Sequence, residues 1–454
     1  MPFATINPVN GETLKTFSSW TSEEINLNLQ AVTEASKSWS QRSMQSRCEL
    51  LSTLAQVIRE KKEDLAKIIT LEMGKLYTES LAEIEKCAIL CDYYAHNAEE
   101  FLADEIIESD AGLSFVSYEP LGAVLAVMPW NFPFWQVLRF AIPALAAGNV
   151  GVLKHASNVP QCAQAIEQLF VDAGFPSAVF KNFMIDASQV QAVIEDSRIH
   201  AVTLTGSEPA GRMVAATAGA NLKKSVLELG GSDPFVVLED ADLIDTIKNA
   251  VISRFLNAGQ TCIAAKRFIV VESVADSFVT GFKSAVEQLR IGDPMDATTT
   301  LASLARMDLR DELHQQVMDS IKQGAVALTG CQPIDGKGVF YAPSILDHVK
   351  PGQRAYQEEL FGPVATIIRA QDEEDALRLT NDTRFGLAGS VWTKDSGRGE
   401  KFARQVQAGA VFVNGFVKSD PRLPFGGIKA SGYGRELSRH GIREFVNTKT
   451  IWIK

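Results

Sequence analysis

The spacing of hydrophobic positions changes about a quarter of the way along the chain. From Ser22 to Leu102 apolar residues recur at helical intervals, first Ile25, Leu29, Val32 and Ala35, then Leu50, Leu51, Leu54, Val57 and Ile58. This predicts a run of helices with a supporting role, one of them capped by Gly74. Ahead of them, Asn-Pro and Asn-Gly within residues 5–12 predict a small hairpin. Strands are expected over 115–118 and 123–128, around the Pro120-Leu121-Gly122 turn. A helix through Ala147 follows, then strand 150–154, helix 160–173, strand 179–185, helix 189–195 and strand 201–204. This alternation predicts a doubly wound parallel α/β sheet, whose ligands bind beyond the carboxyl ends of its strands. A second α/β unit is expected from about Arg267 to Val413, with strands at 326–329, 364–369, 389–393 and 410–413. The tail from Glu444 to Lys454 has the composition of an edge strand that needs a partner.

At 454 residues the chain exceeds the roughly 250–300 residues at which single cores stop growing, so two or three domains are expected. Its 44 basic and 55 acidic residues give a net charge of -11 with no basic tract, which argues against nucleic acid or an anionic membrane as partner. The longest apolar stretch, 141–153, is broken by Pro143, Gly148 and Gly151, and the opening residues lack a basic and apolar leader. A cytoplasmic protein is expected. The six cysteines form no C-x-x-C pair, and Cys87 and Cys91 have the spacing of a helical packing stripe. The histidines form no metal motif, so neither a disulfide framework nor a metal is expected.

Candidate chemistry centres on Asn257-Ala-Gly-Gln-Thr-Cys262. Leu243, Ile247, Val251 and Phe255 predict a helix, which Asn257 to Gly259 would end, and Arg267 to Val271 read as a strand. Cys262 thus falls on a tight connection that can present its thiol to a cleft, although an isolated cysteine is more often inert packing. The run Pro129-Trp-Asn-Phe-Pro-Phe-Trp135 cannot be regular structure and is either a packing elbow or the wall of a site. Asn131, its one amide, could stabilise an oxyanion if it lies near Cys262. Glu228 ends an apolar strand before a double glycine, as an ion-pair partner or as a base of raised pKa. Asp233, in Ser-Asp-Pro, reads as a turn residue. Lys154 and Ser157 fall at a strand end, and the loop Gly206 to Gly211, between strand and helix, suits a nucleotide phosphate.

Gln260-Thr-Cys262, Glu228-Leu-Gly-Gly231, Pro129-Trp-Asn-Phe-Pro133, Leu153-Lys154, Thr205-Gly-Ser207, Glu359-Leu-Phe-Gly-Pro363 and Pro424-Phe-Gly-Gly427 together resemble, in order and spacing, the aldehyde dehydrogenase superfamily. The resemblance covers essentially the whole chain and is greatest to the succinate-semialdehyde dehydrogenase branch. It implies a thioester mechanism with Cys262 as nucleophile, Asn131 as oxyanion donor and Glu228 as the base for hydrolysis, which disfavours transfer to coenzyme A. It puts Lys154 on the adenosine ribose, Gly206, Ser207 and Gly211 at the phosphate loop, Trp130 beside the cofactor, and Glu359 and Phe361 at the nicotinamide. Ser157 stands where many NAD-preferring members have glutamate, so NADP as well as NAD is expected as cofactor. Trp135, Arg139 and Ser419 would line the substrate pocket, with Arg139 on the distal carboxylate of a semialdehyde acid or, alternatively, in an ion pair. Ile263 and Ala264 after the nucleophile imply no thiol switch.

The implied fold is a Rossmann-like cofactor domain (1–114 and 133–227) and an α/β catalytic domain (228–420). A glycine-rich loop (421–435) would return to the cofactor domain, and a β-extension (115–132 and 436–454) would join copies into a homo-oligomer. Competing readings are a glutarate semialdehyde or broad aliphatic aldehyde dehydrogenase, a cysteine thioesterase, and a non-catalytic binding protein on the same fold.

Overall fold

The computed structural model describes residues 3–454. A hairpin, Phe3–Ile6 with Thr13–Phe17, precedes four helices, Ser22–Ser40, Met44–Glu60, Lys62–Met73 and Tyr77–Phe101. Thr21 starts the first through a capping box with Glu24, which satisfies two otherwise orphaned N–H groups. Gly74 ends the third in the left-handed conformation.

Two mainly parallel sheets, each with one antiparallel edge strand, carry the molecule. The first has six strands in the order Gly432–Tyr433, Lys224–Glu228, Ile199–Thr205, Ala123–Val127, Val150–Lys154, Phe180–Asn182. Only the short Gly432–Tyr433 strand is antiparallel. Chain order reverses between Ala123–Val127 and Ile199–Thr205, and a crevice opens where the connections leave such a pair in opposite directions. The segments leaving these two strands are Pro129 to Asn131 and Gly206 to Ser207. This placement corrects the expected boundary of the β-extension. Residues 123–127 lie at the centre of the cofactor-type sheet, and only Leu113–Pro120 joins the outlying three-stranded sheet with Glu105–Ile106 and Val446–Ile453. The tail strand finds its partner there, in register from Val446 opposite Pro120 to Ile453 opposite Leu113.

The second sheet has seven strands, in the order Val326–Thr329, Ser344–Asp347, Val364–Ala370, Ala265–Val271, Asp233–Val237, Ala388–Trp392, Ala410–Val413. The chain crosses between the sheets at Leu229 to Ser232, so the stretch around Glu228 and Asp233 is two strands in two different layers. Asp233 is therefore no turn residue. It opens a central strand, is 2% exposed, and burial pushes its carboxyl up to about 7. Each sheet has its own core; in the second, Phe235 stacks on Trp392 at 5.0 Å. No helix among the described residues is long and apolar enough to cross a membrane.

Candidate active site

The Leu243–Phe255 helix ends in an unusual way. Asn257, Ala258 and Gly259 all have positive φ, at 53°, 52° and 76°, a conformation that costs the two non-glycine residues on the order of 1 kcal/mol or more each. Surrounding contacts hold it. The Arg254 guanidinium donates to the carbonyls of Ala265 at 3.1 Å, Gly259 at 3.0 Å, Leu360 at 3.2 Å, and Gly362. The Asn257 N–H donates to the Glu79 carboxylate at 3.1 Å, and the Asn257 side-chain amide donates to the Asn131 carbonyl at 2.9 Å. Asn131 Nδ2 in turn donates to the Gln260 carbonyl at 2.9 Å. Beyond the thiol, Lys266 Nζ donates to the carbonyls of Thr261 and Cys262 at 2.9 and 2.7 Å and pairs with Glu359 at 3.1 Å. The backbone that carries Cys262, the Asn131 loop and the Glu359 loop are thereby one hydrogen-bonded unit.

Cys262 keeps part of its surface open and lines two cavities, a position it shares only with Gln136 among the lining residues. One cavity, of about 340 Å³, has walls that include Phe132, Trp135, Arg139, Phe425, Ser419 and Lys86. The other, of about 250 Å³, lies at the crevice of the six-stranded sheet and includes Trp130, Asn131, Gly206, Ser207, Glu228, Glu359 and Phe361. Burial pushes the Cys262 thiol up to about 12, against the opposing pull of the Arg139 and Lys266 cations. Burial also drives the Glu228 carboxyl well above its ordinary range, the nearby Glu436 charge adding to it and Arg139 opposing. Its Oε1 has no hydrogen-bond partner. Burial thus disfavours the charged form of both groups, which line the same cavity.

The aldehyde dehydrogenase family model matches residues 1–451. The chain belongs to the aldehyde dehydrogenase family. A protein of Synechocystis sp. called a probable succinate-semialdehyde dehydrogenase [NADP(+)] is 50% identical over 453 residues, covering 100% of both chains. Succinate-semialdehyde dehydrogenase [NADP(+)] 1 of Mycobacterium bovis is 46% identical, also over 100% of both. Among solved structures, succinic semialdehyde dehydrogenase from Streptococcus pyogenes, in complex with NADP+, matches with a TM-score of 0.98 and 39% identity over 99% of each chain.

Within this aldehyde dehydrogenase most of the singled-out residues collect around the two cavities, and some do not. Trp130 and Phe361 meet edge to face at 5.9 Å. Gly206 and Ser207 precede the Glu208–Ala220 helix. Gly211 lies inside that helix, where a Cβ would come 2.5 Å from Leu229, so it serves helix–strand packing and lines neither cavity. Lys154 and Ser157 also lie outside both linings. Lys154 ends its strand, with burial lowering its pKa, and Ser157 is exposed. Arg139 faces the first cavity, but its guanidinium forms an ion pair with buried Glu436 and lies over the Phe425 ring at 4.6 Å.

The Tyr77–Phe101 helix, expected to be mere support, furnishes cavity wall. Its Glu83 accepts from the N–H groups of Phe134 and Trp135 at 2.9 and 3.0 Å, fixing the start of the Trp135–Ala146 helix, and pairs with Lys75, whose ammonium sits 3.7 Å from the Phe132 ring. Glu79, in the same wall, is pushed up to about 7 by burial. Lys86 Nζ donates to Ser419 Oγ at 2.6 Å. The signal for these residues was a charged stripe, Glu79, Glu83 and Lys86, at helical spacing beside the apolar one. His155 was also missed. Its Nδ1 accepts from Ala156 N–H at 2.9 Å and its Nε2 bonds the Pro133 carbonyl at 3.0 Å, so the buried neutral ring, its pKa lowered to about 4, pins the Pro129-to-Trp135 loop.

Proposed function

We propose that this aldehyde dehydrogenase oxidises succinate semialdehyde to succinate with NADP+, and less readily with NAD+. The observation that carries the reading is the single thiol open to two cavities, since aldehyde oxidation needs one nucleophile reached by an aldehyde from one side and by a redox cofactor from the other. The full-length relatives named for this reaction support the substrate and cofactor.

The second cavity suits a nicotinamide dinucleotide. It lies at a switch point of the sheet, the N-terminus of the Glu208–Ala220 helix favours a diphosphate, and a Cβ at Gly206 would meet only Leu204, at 3.5 Å, so the backbone there is open to close approach. Lys154 and Ser157 would hold the adenosine ribose, where the exposed Ser157 hydroxyl does not repel a 2′-phosphate. Trp130, Glu359 and Phe361 would flank the nicotinamide, which when bound supplies the acceptor for the aldehyde hydrogen.

The remaining chemistry belongs to the chain. Cys262 loses its proton to water, and the thiolate attacks the carbonyl carbon. Asn131 Nδ2, released from the Gln260 carbonyl, and the Cys262 N–H meet the oxygen's developing charge. Once oxidation has left a thioester on Cys262, ionised Glu228 takes a proton from the attacking water and succinate is released. Because burial raises the Glu228 pKa, the hydrolytic step accelerates as pH rises. The same reading has the enzyme cytoplasmic and homo-oligomeric through the three-stranded sheet, which exposes Ile106, Leu113, Trp452 and Ile453.

Steady-state kinetics on succinate semialdehyde, glutarate semialdehyde and butanal with both cofactors tests the proposal. The highest kcat/KM is expected for succinate semialdehyde with NADP+. A preference for butanal, or for the five-carbon acid, would replace it with the broad or glutarate reading.

A further inference from the structure

We infer that Lys86, together with the Ser419 hydroxyl, is the anchor for the distal carboxylate of the substrate. This inference rests on the semialdehyde-acid reading and names the residues that would read the acid group.

A pocket for a four-carbon aldehyde acid needs a positive charge not already neutralised by the protein. Arg139 does not supply one freely, because its guanidinium is engaged by Glu436 and held over Phe425. Lys75 faces Glu83, and Lys418, which also borders the cavity, is exposed to solvent, where its charge is screened. Lys86 differs from all three. It reaches the cavity from the Tyr77–Phe101 helix and packs its ammonium against the Trp135 ring at 4.1 Å. Its one hydrogen bond among the described residues goes to a neutral oxygen, Ser419 Oγ. Burial and the neighbouring Arg139 charge bring its pKa down to about 8, outweighing the pull of Glu83 and Asp420, neither of which forms an ion pair with it among the described residues. A protein seldom leaves an ammonium partly desolvated without a partner, and a bound carboxylate would be that partner.

The hydrogen-bond directions fit the role. An ammonium only donates, so Ser419 Oγ accepts from Lys86 and keeps its own proton to give elsewhere. A carboxylate lying across the two would receive N–H from Lys86 on one oxygen and O–H from Ser419 on the other. The aromatic walls, Phe132, Trp135 and Phe425, suit the methylene chain between this acid and the aldehyde at Cys262.

Kinetics of the parent enzyme and of Lys86→Met on succinate semialdehyde and on butanal, with NADP+, test the anchor. Lys86→Met should lose at least tenfold more kcat/KM on the semialdehyde acid than on butanal, with the difference in KM. Lys86→Arg, which keeps the charge, should recover part of the loss. Succinate, as an inhibitor of butanal oxidation, should weaken at least tenfold in Lys86→Met. If that variant fails to fold, Lys86→Gln serves the same comparison. Equal losses on the two aldehydes, or undiminished inhibition by succinate, would overturn the anchor alone. A parent enzyme that oxidises butanal and ignores succinate semialdehyde would instead overturn the substrate reading on which the anchor stands.

Discussion

The two cavities that meet at Cys262 are built from different materials. The wall at the sheet crevice combines large side chains, among them Trp130, Glu228, Glu359 and Phe361, with a stretch of backbone and small residues: Gly206, Ser207 and Gly230 sit on short connections after strand ends, and a Cβ at Gly230 would lie 2.2 Å from Glu359 Oε2. The opposite wall is made of large side chains from four separated segments, with charges on Lys86, Arg139, Glu79 and Glu83. A backbone wall can cradle the invariant parts of a cofactor, because amide groups are the same whatever the sequence. A side-chain wall can be tuned to one aldehyde, but each of its charges must be balanced against burial. The difference fits the proposed assignment of a dinucleotide to one cavity and an aldehyde to the other.

Three substitutions probe this contrast. The largest effect is expected on the side-chain wall. Arg139→Leu strands the buried Glu436 carboxylate and should cost about 3–5 kcal/mol of stability, seen in denaturant unfolding, with Arg139→Leu/Glu436→Gln regaining most of it. A fully stable Arg139→Leu that loses only affinity for the semialdehyde acid would return Arg139 to the substrate.

Asp233, behind the Cys262 loop, should give a smaller, pH-dependent effect. Its folded pKa is raised, so its stabilising contribution is full below its ordinary value near 4 and is lost as pH rises to about 7. The slope is at most about 1.4 kcal/mol per pH unit. Asp233→Asn, which retains the acceptor for the Ala388 N–H, should flatten the stability–pH curve of the parent between those limits. An unchanged curve would remove Asp233 as its source.

The smallest effect is expected outside both linings, at the exposed Ser157 proposed to meet the adenosine ribose. Ser157→Glu should shift the kcat/KM ratio from NADP+ toward NAD+ roughly tenfold, about 1.4 kcal/mol. An unchanged ratio would place the 2′-phosphate elsewhere.

The same contrast governs what the sequence reveals. Alternating strands and helices announced the parallel sheets, and the glycine connections, the proline-bracketed loop and Cys262 stood out because turns and tight approaches demand particular residues. The side-chain wall was harder to read. Lys86, Glu83 and Glu79 sit on a helix whose period is that of any scaffold helix, and only the distant loop of Ser419 and the start of the Trp135–Ala146 helix show which face is the cavity. Asp233 looked like a turn residue because Ser-Asp-Pro is turn chemistry; the chain in fact crosses there from one sheet to the other and starts a strand on the proline. The resemblance put residues 123–127 with the outlying sheet, as part of an extension over 115–132, but five apolar positions, four of them buried, have the pattern of a central parallel strand.

The central claim is that one thiol serves both cavities, and Glu228→Gln tests it most directly. Mixed with succinate semialdehyde and NADP+, this variant should release a rapid burst of about one equivalent of reduced cofactor per chain, read by the absorbance of the reduced nicotinamide, then turn over slowly. Mass spectrometry should find the succinyl group on the Cys262 peptide. Undiminished steady turnover with Cys262 unmodified, or an acyl group on another cysteine, would contradict the account.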